Sequence, residues 1–105
     1  MQIAASGALT TVEAAARLGQ RVLVAGMRQT WRRGRIAGGD YIYFLALEDL
    51  EGVVEVVIPS EVYRRNRSAL SGPGPYLVEG DVELDPERGE PVIRAERVAG
   101  LNTRI

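Results

Sequence analysis

Along most of the chain beyond residue 20, apolar and polar residues alternate with a period of two, which is typical of β-strands. The alternation predicts five strands, which run from Arg21 toward Trp31, over about Asp40–Glu48, over Val53–Ile58, over 76–84 and over 91–98. Gly26 interrupts the first strand at a point where a bulge or a sharp bend would need no side chain. The buried face of the fourth strand is expected to consist of Tyr76, Val78, Gly80, Val82 and Leu84.

Two segments show the spacing of helices instead. Thr10 and Glu13 have the spacing of a capping box, so a short helix is expected from about Thr11 to Leu18. Ser60 is expected to cap a second helix, which the SGPGP segment ends. The inward face of that helix is expected to contain Val62, Tyr63, Asn66, Ala69 and Leu70.

The predicted order of elements is three strands, a helix and two further strands. This is the order of the five-stranded Greek-key barrel called the OB fold, an all-β architecture whose usual ligand is single-stranded nucleic acid. A β-sandwich would usually need about seven strands. We therefore expect an OB barrel in which the helix between strands three and four closes one end, while the short N-terminal helix packs over an opening or an edge.

The chain has 105 residues, of which 46% are hydrophobic, so it can bury one core but not two. We divide it into an N-terminal extension over 1–20, the OB domain over 21–99 and a tail over 100–105. No apolar run approaches the roughly 18 residues of a membrane span, and the N-terminus lacks the pattern of a secretory signal. A cytoplasmic protein without a membrane partner is expected.

Cysteine, histidine and lysine are all absent from the chain. Their absence removes the commonest metal ligands, the proton shuttle of neutral pH and the usual thiol and amine nucleophiles. We therefore expect no catalytic residues, no metal and no cofactor. The acidic cluster of Glu48, Asp49 and Glu51 does not alter this, because adjacent strand residues point to opposite faces. Asp49 with Gly52 is better explained as a turn in which the carboxylate accepts backbone N–H bonds.

The formal net charge is −1, but positive and negative charges are separated along the chain. Residues 21–39 contain arginines and no acid, whereas 40–61 contain acids and no base. A basic segment of this kind favours contact with a polyanion even when the net charge does not. A later basic block, Arg64, Arg65 and Arg67, is expected to be a solvated face of the second helix.

The basic segment WRRGR is interpreted as the loop between strands one and two, which OB domains use to wrap a nucleic-acid strand. In this loop the guanidinium groups of Arg32, Arg33 and Arg35 would pair with phosphates. The indole of Trp31 would stack on a base, since a lone Trp among arginines and glycines has little core to enter. Arg28, earlier on strand one, either extends this basic surface or pairs with Glu48 or Glu55 across the sheet.

The two faces of strand two are both apolar, so its phase is open. In the first interpretation Phe44 faces the ligand with Ile42 and Ala46 beside it, and Leu45 and Leu47 point inward. In the opposite phase Phe44 enters the core, and Tyr41 and Tyr43 become the candidates for stacking on bases.

Several of these residues also match the pattern of a known family. They are Val22, Val24, Ala25 and Gly26; Phe44, Leu47, Glu48 and Asp49; Gly52, Val56 and Val57; and Tyr63. In this pattern the chain resembles the OB domain of the bacterial DNA polymerase III alpha subunit, including its error-prone relatives. The resemblance implies a non-catalytic module of a replicative polymerase that binds the single-stranded template DNA beside other domains or subunits. The shorter pattern V-x-G with F-x-x-L-x-D is also shared by anticodon-binding domains of class II aminoacyl-tRNA synthetases.

Three hypotheses about function follow. The first is a weak single-stranded DNA-binding module with a groove across strands two and three. Its candidate contact residues are Arg28, Trp31, Arg32, Arg33, Arg35, Tyr43 and Phe44. The second is an OB module that binds a neighbouring protein domain or subunit. The third is an RNA-binding, anticodon-type domain of a tRNA synthetase, which would prefer RNA to DNA.

Overall fold

A computed structural model describes residues 7–101 of the chain. Its elements are α1 (Thr11–Ala15), β1 (Arg21–Arg35), β2 (Tyr41–Glu48), β3 (Val53–Pro59), α2 (Ser60–Arg65), α3 (Arg67–Leu70), β4 (Tyr76–Leu84) and β5 (Pro91–Gly100). The strands close into a barrel in the order β1-β2-β3-β5-β4, in which β3 and β5 are parallel and the other pairs antiparallel. This is the predicted all-β, five-stranded OB barrel. Within 7–101, no helix is long and apolar enough to cross a membrane.

The barrel closes because β1 pairs with two neighbours in succession. Residues 21–26 pair with β4, and residues 27–35 pair with β2. At the change of partner, a Cβ on Gly26 would lie 2.6 Å from the backbone oxygen of Glu48, so only glycine fits there. The register shifts again between Arg28 and Thr30, which confirms the prediction of a bulge or bend near Gly26.

Burial shows which phase each strand adopts. Leu45 and Leu47 are fully buried in the core, so Phe44 lies on the outer surface of β2 and the alternative phase is wrong. In β4 the predicted inner face is buried from Tyr76 to Val82. Leu84 is the exception, because it is the last residue of β4 and its side chain is 53% exposed.

Both helical segments are shorter than predicted. The capping box of Thr10 and Glu13 is present, but α1 ends at Ala15 instead of Leu18. It ends early because Gly19 donates its N–H to the carbonyl of Val82, which draws the chain into the sheet. The predicted second helix is divided into α2 and α3, and Ser60 is its first residue, preceded by Pro59 as N-cap.

The break between α2 and α3 lies at Asn66, whose backbone leaves the helical region with φ −119° and ψ 22°. Its side-chain amide donates to the carbonyl of Val62, and its side-chain oxygen accepts from the backbone N–H of Val98 on β5. A side chain that bonds to its own turn competes with the helical ladder. Here it also joins the helical segment to the barrel.

Asp49 holds α1 against the barrel. Its carboxylate accepts hydrogen bonds from the N–H and the hydroxyl of Thr11, both at 2.8 Å. It also accepts from the N–H groups of Glu51 and Gly52, at 2.9 and 3.0 Å, which confirms its predicted role in the β2–β3 turn. Because these bonds hold Thr11 against the barrel, Ala14 of the same helix is fully buried as part of the core.

The pKa of Asp49 gives a test of this connection. Partial burial raises the pKa, but the hydrogen bonds from Thr11, Glu51 and Gly52 outweigh burial and hold it below the ordinary value of an aspartate. The stabilisation is therefore complete at neutral pH and is lost as the pH falls through the lowered pKa. We expect Asp49→Asn to lower the free energy of unfolding by about 1–3 kcal/mol at neutral pH, measured by urea denaturation.

The deficit of Asp49→Asn relative to wild type should shrink in acid below about pH 4, where the wild type loses the same interaction. Glu48→Gln, at an exposed neighbouring position, is the matched control and should follow the wild-type pH profile. A deficit that stays constant from neutral to acid pH would show that the charge of Asp49 does not hold α1.

Candidate nucleic-acid interface

A row of cross-strand neighbours crosses the outer surface of the barrel. It consists of Arg32 on β1, Phe44 on β2, Val57 on β3 and Arg94 on β5. Residues directly opposite one another on neighbouring strands share a face of the sheet. The row therefore places two apolar side chains between two arginines on the outer face of the barrel.

Phe44 is held in place from two sides. The guanidinium carbon of Arg32 lies 4.1 Å from the centre of the Phe44 ring, a cation–π contact. Gly34, on the same outer surface of β1, leaves room for the ring, because a Cβ there would lie 3.2 Å from the Cε2 atom of Phe44. The ring remains half-buried on the surface of β2. Phe44 and Arg32 together thus form a flat, cationic platform.

An ion network lies beside this platform. Glu55 on β3 bonds to the Nη2 atom of Arg32 at 3.3 Å and to the guanidinium of Arg88. Arg88 belongs to the β4–β5 loop, residues 85–90, and also pairs with Asp85 at 2.9 Å. The hydrogen bond from Arg88 lowers the pKa of Asp85 below its ordinary value. The network connects β1, β3 and the β4–β5 loop, and its negative charges partly neutralise the arginines.

Sequence reasoning did not single out Arg88 or pair it with Glu55. Arg88 lies in the turn DPERGE, which carries only the composition of a loop. Its partner is 33 positions away in sequence, so no local spacing could have revealed the contact.

Three adjoining depressions extend across this surface, with volumes of about 480, 420 and 540 Å³. The middle one contains Phe44 and shares Val57, Glu83 and Val92 with the first. It shares Arg32, Glu55 and Arg88 with the third. We call the three together the outer groove; it runs across β2, β3 and β5, from the β1–β2 loop toward α1.

The prediction that Trp31–Arg35 forms the β1–β2 loop is wrong. β1 continues through Arg35, and the loop is formed by residues 36–40. The segment stays in the sheet because it pairs in register with the aromatic residues of β2, with Arg32 opposite Phe44 and Arg33 opposite Tyr43. Alternation along a strand then divides the basic residues between two surfaces.

Arg33 and Arg35 alternate with Arg32 along β1 and lie around Tyr41, which lines the β1–β2 end of the outer groove. The guanidinium carbons of Arg33 and Arg35 lie 4.3 and 5.1 Å from the centre of the Tyr41 ring. Arg35 also donates a hydrogen bond to the Tyr41 hydroxyl at 3.0 Å. The structure therefore does not bring these two arginines together with Arg32.

Trp31 belongs to an aromatic cluster, contrary to the expectation that it has little core to enter. Its ring stacks on Tyr43 with centroids 5.4 Å apart, and Tyr43 stacks on Tyr63 of α2 at 4.0 Å. All three side chains pack against the buried core. Trp31 and Tyr43 are thus grouped with each other and separated from Phe44 by the sheet.

Arg28 lies near the bulge of β1, opposite Leu47 and away from Phe44. Its suggested partner Glu55 is bound by Arg32 and Arg88 instead. Of the seven predicted contact residues, only Arg32 and Phe44 are in direct contact on the outer groove. Nucleic-acid contacts of all seven residues, these two included, stay predictions.

Comparison with known proteins found similar solved structures. No protein-family model matches the chain, and no curated protein matches it. The fold is similar to that in the crystal structure of asparaginyl-tRNA synthetase from Pyrococcus horikoshii, with a TM-score of 0.69 and 24% identity over 90% of this chain. The same enzyme complexed with asparaginyl-adenylate gives a TM-score of 0.67 and 22% identity over 90% of this chain.

The chain spans only 23% and 22% of the two synthetase chains that it matches. These structures are synthetases, so the assignment to a DNA polymerase III alpha subunit is wrong. The template-DNA partner and the replication role that were inferred from it are wrong as well. The shared elements V-x-G and F-x-x-L-x-D predicted the fold correctly, whereas the wider resemblance did not identify the parent protein.

The aromatic cluster gives a test of where Trp31 lies, because the chain contains one tryptophan. We expect blue-shifted fluorescence and weak quenching by acrylamide in the wild type. Tyr63→Ala removes one wall of the cluster and should shift the emission to the red, with a loss of about 1–3 kcal/mol in stability for two aromatic contacts. Tyr41→Ala, on the same strand as Tyr43, is the control and should leave the emission unchanged. Quenching as strong as that of free tryptophan would place Trp31 in solvent.

Proposed function

We propose that this chain is a non-catalytic, RNA-binding OB domain of the anticodon-binding type found in tRNA synthetases. The observation that carries the proposal is Phe44, which lies on the floor of the outer groove with Arg32 against its ring. Phe44 is the chain's single phenylalanine, and the core does not contain it. On this proposal, the half-buried ring is the surface on which a ligand stacks.

Single-stranded RNA supplies such a ligand. Proteins recognise unpaired RNA bases by stacking them on aromatic rings and on guanidinium planes, and anticodon loops present unpaired bases. In the outer groove a base stacks on the platform of Phe44 and Arg32. Ile42, Ala46 and Val57 share that surface and extend the apolar floor along the strands.

The phosphates of the strand are bound by the arginines around the platform. Arg32 and Arg88 are held by Glu55 in the free protein, so binding exchanges a carboxylate contact for a phosphate contact. This exchange limits the gain in electrostatic energy. We therefore propose weak binding by the isolated domain, which gains strength when other parts of a longer protein hold the RNA.

The preference for RNA over DNA is supported by the similarity in fold to asparaginyl-tRNA synthetase. The lack of cysteine, histidine and lysine supports a role in binding and not in chemistry. On this proposal the protein is cytoplasmic, and the chemical steps belong to a separate catalytic domain. A short single-stranded RNA is the first partner to test.

The first test is a variant of the platform. Phe44→Ala should weaken the binding of a short single-stranded RNA by about 5- to 150-fold, since one stacked base contributes about 1–3 kcal/mol. Fluorescence anisotropy of a labelled RNA at low salt measures this. Leu77→Ala, a partly buried position on the outer surface of β4, is the matched control and should leave the affinity within twofold.

Competition with DNA of the same sequence tests the class of partner. RNA should displace labelled RNA at a lower concentration than DNA does, because the 2′-hydroxyl adds contacts. Equal competition by both would contradict the anticodon-type assignment. A failure of both RNA and DNA to bind at low salt would instead favour a protein-binding OB module.

A second test concerns Arg32. The logarithm of the affinity for single strands falls with the logarithm of the salt concentration, by about 0.7 for each phosphate contact. Arg32→Gln should therefore reduce the magnitude of this slope by about 0.7, measured by anisotropy over a salt series. Arg97→Gln is the control, because Arg97 pairs with Glu79 away from the outer groove. An unchanged slope in Arg32→Gln would remove Arg32 from the phosphate contacts.

A further inference from the structure

We infer that the depression of about 480 Å³ at the β1–β2 end of the outer groove is a second nucleotide subsite, which takes the neighbour of the base on Phe44 and whose phosphate contacts Arg64 and Arg94. This inference rests on the proposed function. It assigns a binding role to Arg64, which the sequence placed on a solvated helix face.

The floor of this subsite continues the floor beneath the base on Phe44. Ile42 lies two residues before Phe44 on β2, and Pro59 lies opposite Ile42 on β3. Two residues along a strand span about 7 Å on one face of the sheet, a distance that an unstacked strand covers in one nucleotide step. Val57 lines both this depression and the one that contains Phe44.

Two arginines from different elements line the subsite. Arg64 comes from α2, and Arg94 comes from β5 at the end of the row that contains Phe44. The neighbouring residue Arg65 is exposed on the same helix but does not line the depression. The barrel therefore distinguishes Arg64 from the rest of the basic block 64–67.

Three acidic residues, Asp40, Glu61 and Glu83, line the same depression. Asp40 accepts hydrogen bonds from the Ser60 hydroxyl at 2.8 Å and from the backbone N–H of Tyr41 at 2.9 Å, and these bonds lower its pKa and favour its charged form. The three carboxylates outnumber the two arginines and oppose a free polyanion. The lining thus fits a nucleotide that is already held through the strand on Phe44, not an isolated phosphate.

The test compares two lengths of RNA. The short RNA covers the Phe44 platform, and two longer RNAs carry one additional nucleotide at the 5′ or at the 3′ end. We expect one of the longer RNAs to bind the wild type about fivefold more tightly or better, from the added stacking and phosphate contacts. Inorganic phosphate alone should not compete at equal ionic strength.

Arg64→Gln should bring the affinity ratio of the longer to the short RNA close to one, whereas Arg65→Gln should retain the wild-type ratio. Arg94→Gln is a second variant with the same expected loss of ratio, and thermal melting checks that each variant is folded.

A wild type that binds the short RNA without any gain from length would overturn the subsite and leave the proposed function standing. A gain that survives in both Arg64→Gln and Arg94→Gln would also overturn it. No binding of any RNA would overturn the proposed function itself.

Discussion

The burial of Leu45 and Leu47 inside the barrel determines the rest of the surface. Because side chains alternate along a strand, a one-residue slip of β2 would place Phe44 in the core and the leucines in solvent. Residues paired across neighbouring strands point to the same side of the sheet. Arg32, Val57 and Arg94 therefore share the surface of Phe44. The outer groove is a consequence of core packing, and its composition follows from which residues are left outside.

Charges that are separated in sequence come together in the fold. Arg32 from the basic segment meets Glu55 from the acidic segment, and Arg21 pairs with Asp81 across β1 and β4. Exposed ion pairs of this kind contribute little to stability, so their main effect is to orient the arginines. The net charge of −1 and the charge blocks are therefore both poor measures of the field that a ligand meets at the groove. The local set of arginines and carboxylates decides it.

Three kinds of feature could be predicted from sequence because each depends on local chemistry. They are regular alternation, the glycine where β1 changes its pairing partner, and the aspartate in a turn. The number and order of the strands, Gly26 and Asp49 were found in this way. The path of Trp31–Arg35 could not be, because Gly34 looks like a flexible loop residue. Its actual role is to leave space for Phe44, a residue ten positions later. Arg64 of α2 and Arg94 of β5 likewise line one depression only in the folded chain, so no sequence window could have grouped them.

Three residues of the motif that suggested a parent protein have structural roles in this barrel. Gly26 is needed where β1 changes partner, Leu47 fills the core, and Asp49 closes a turn and holds α1. These three positions report the architecture, and for that reason the same pattern occurs in proteins with different partners. Phe44 differs from them, because its ring lies half-buried on the outer surface of β2 and is not part of the core. Its contacts are with Arg32 and with the space that Gly34 leaves, both on β1. Within the shared pattern, it is therefore the position that the proposed function uses.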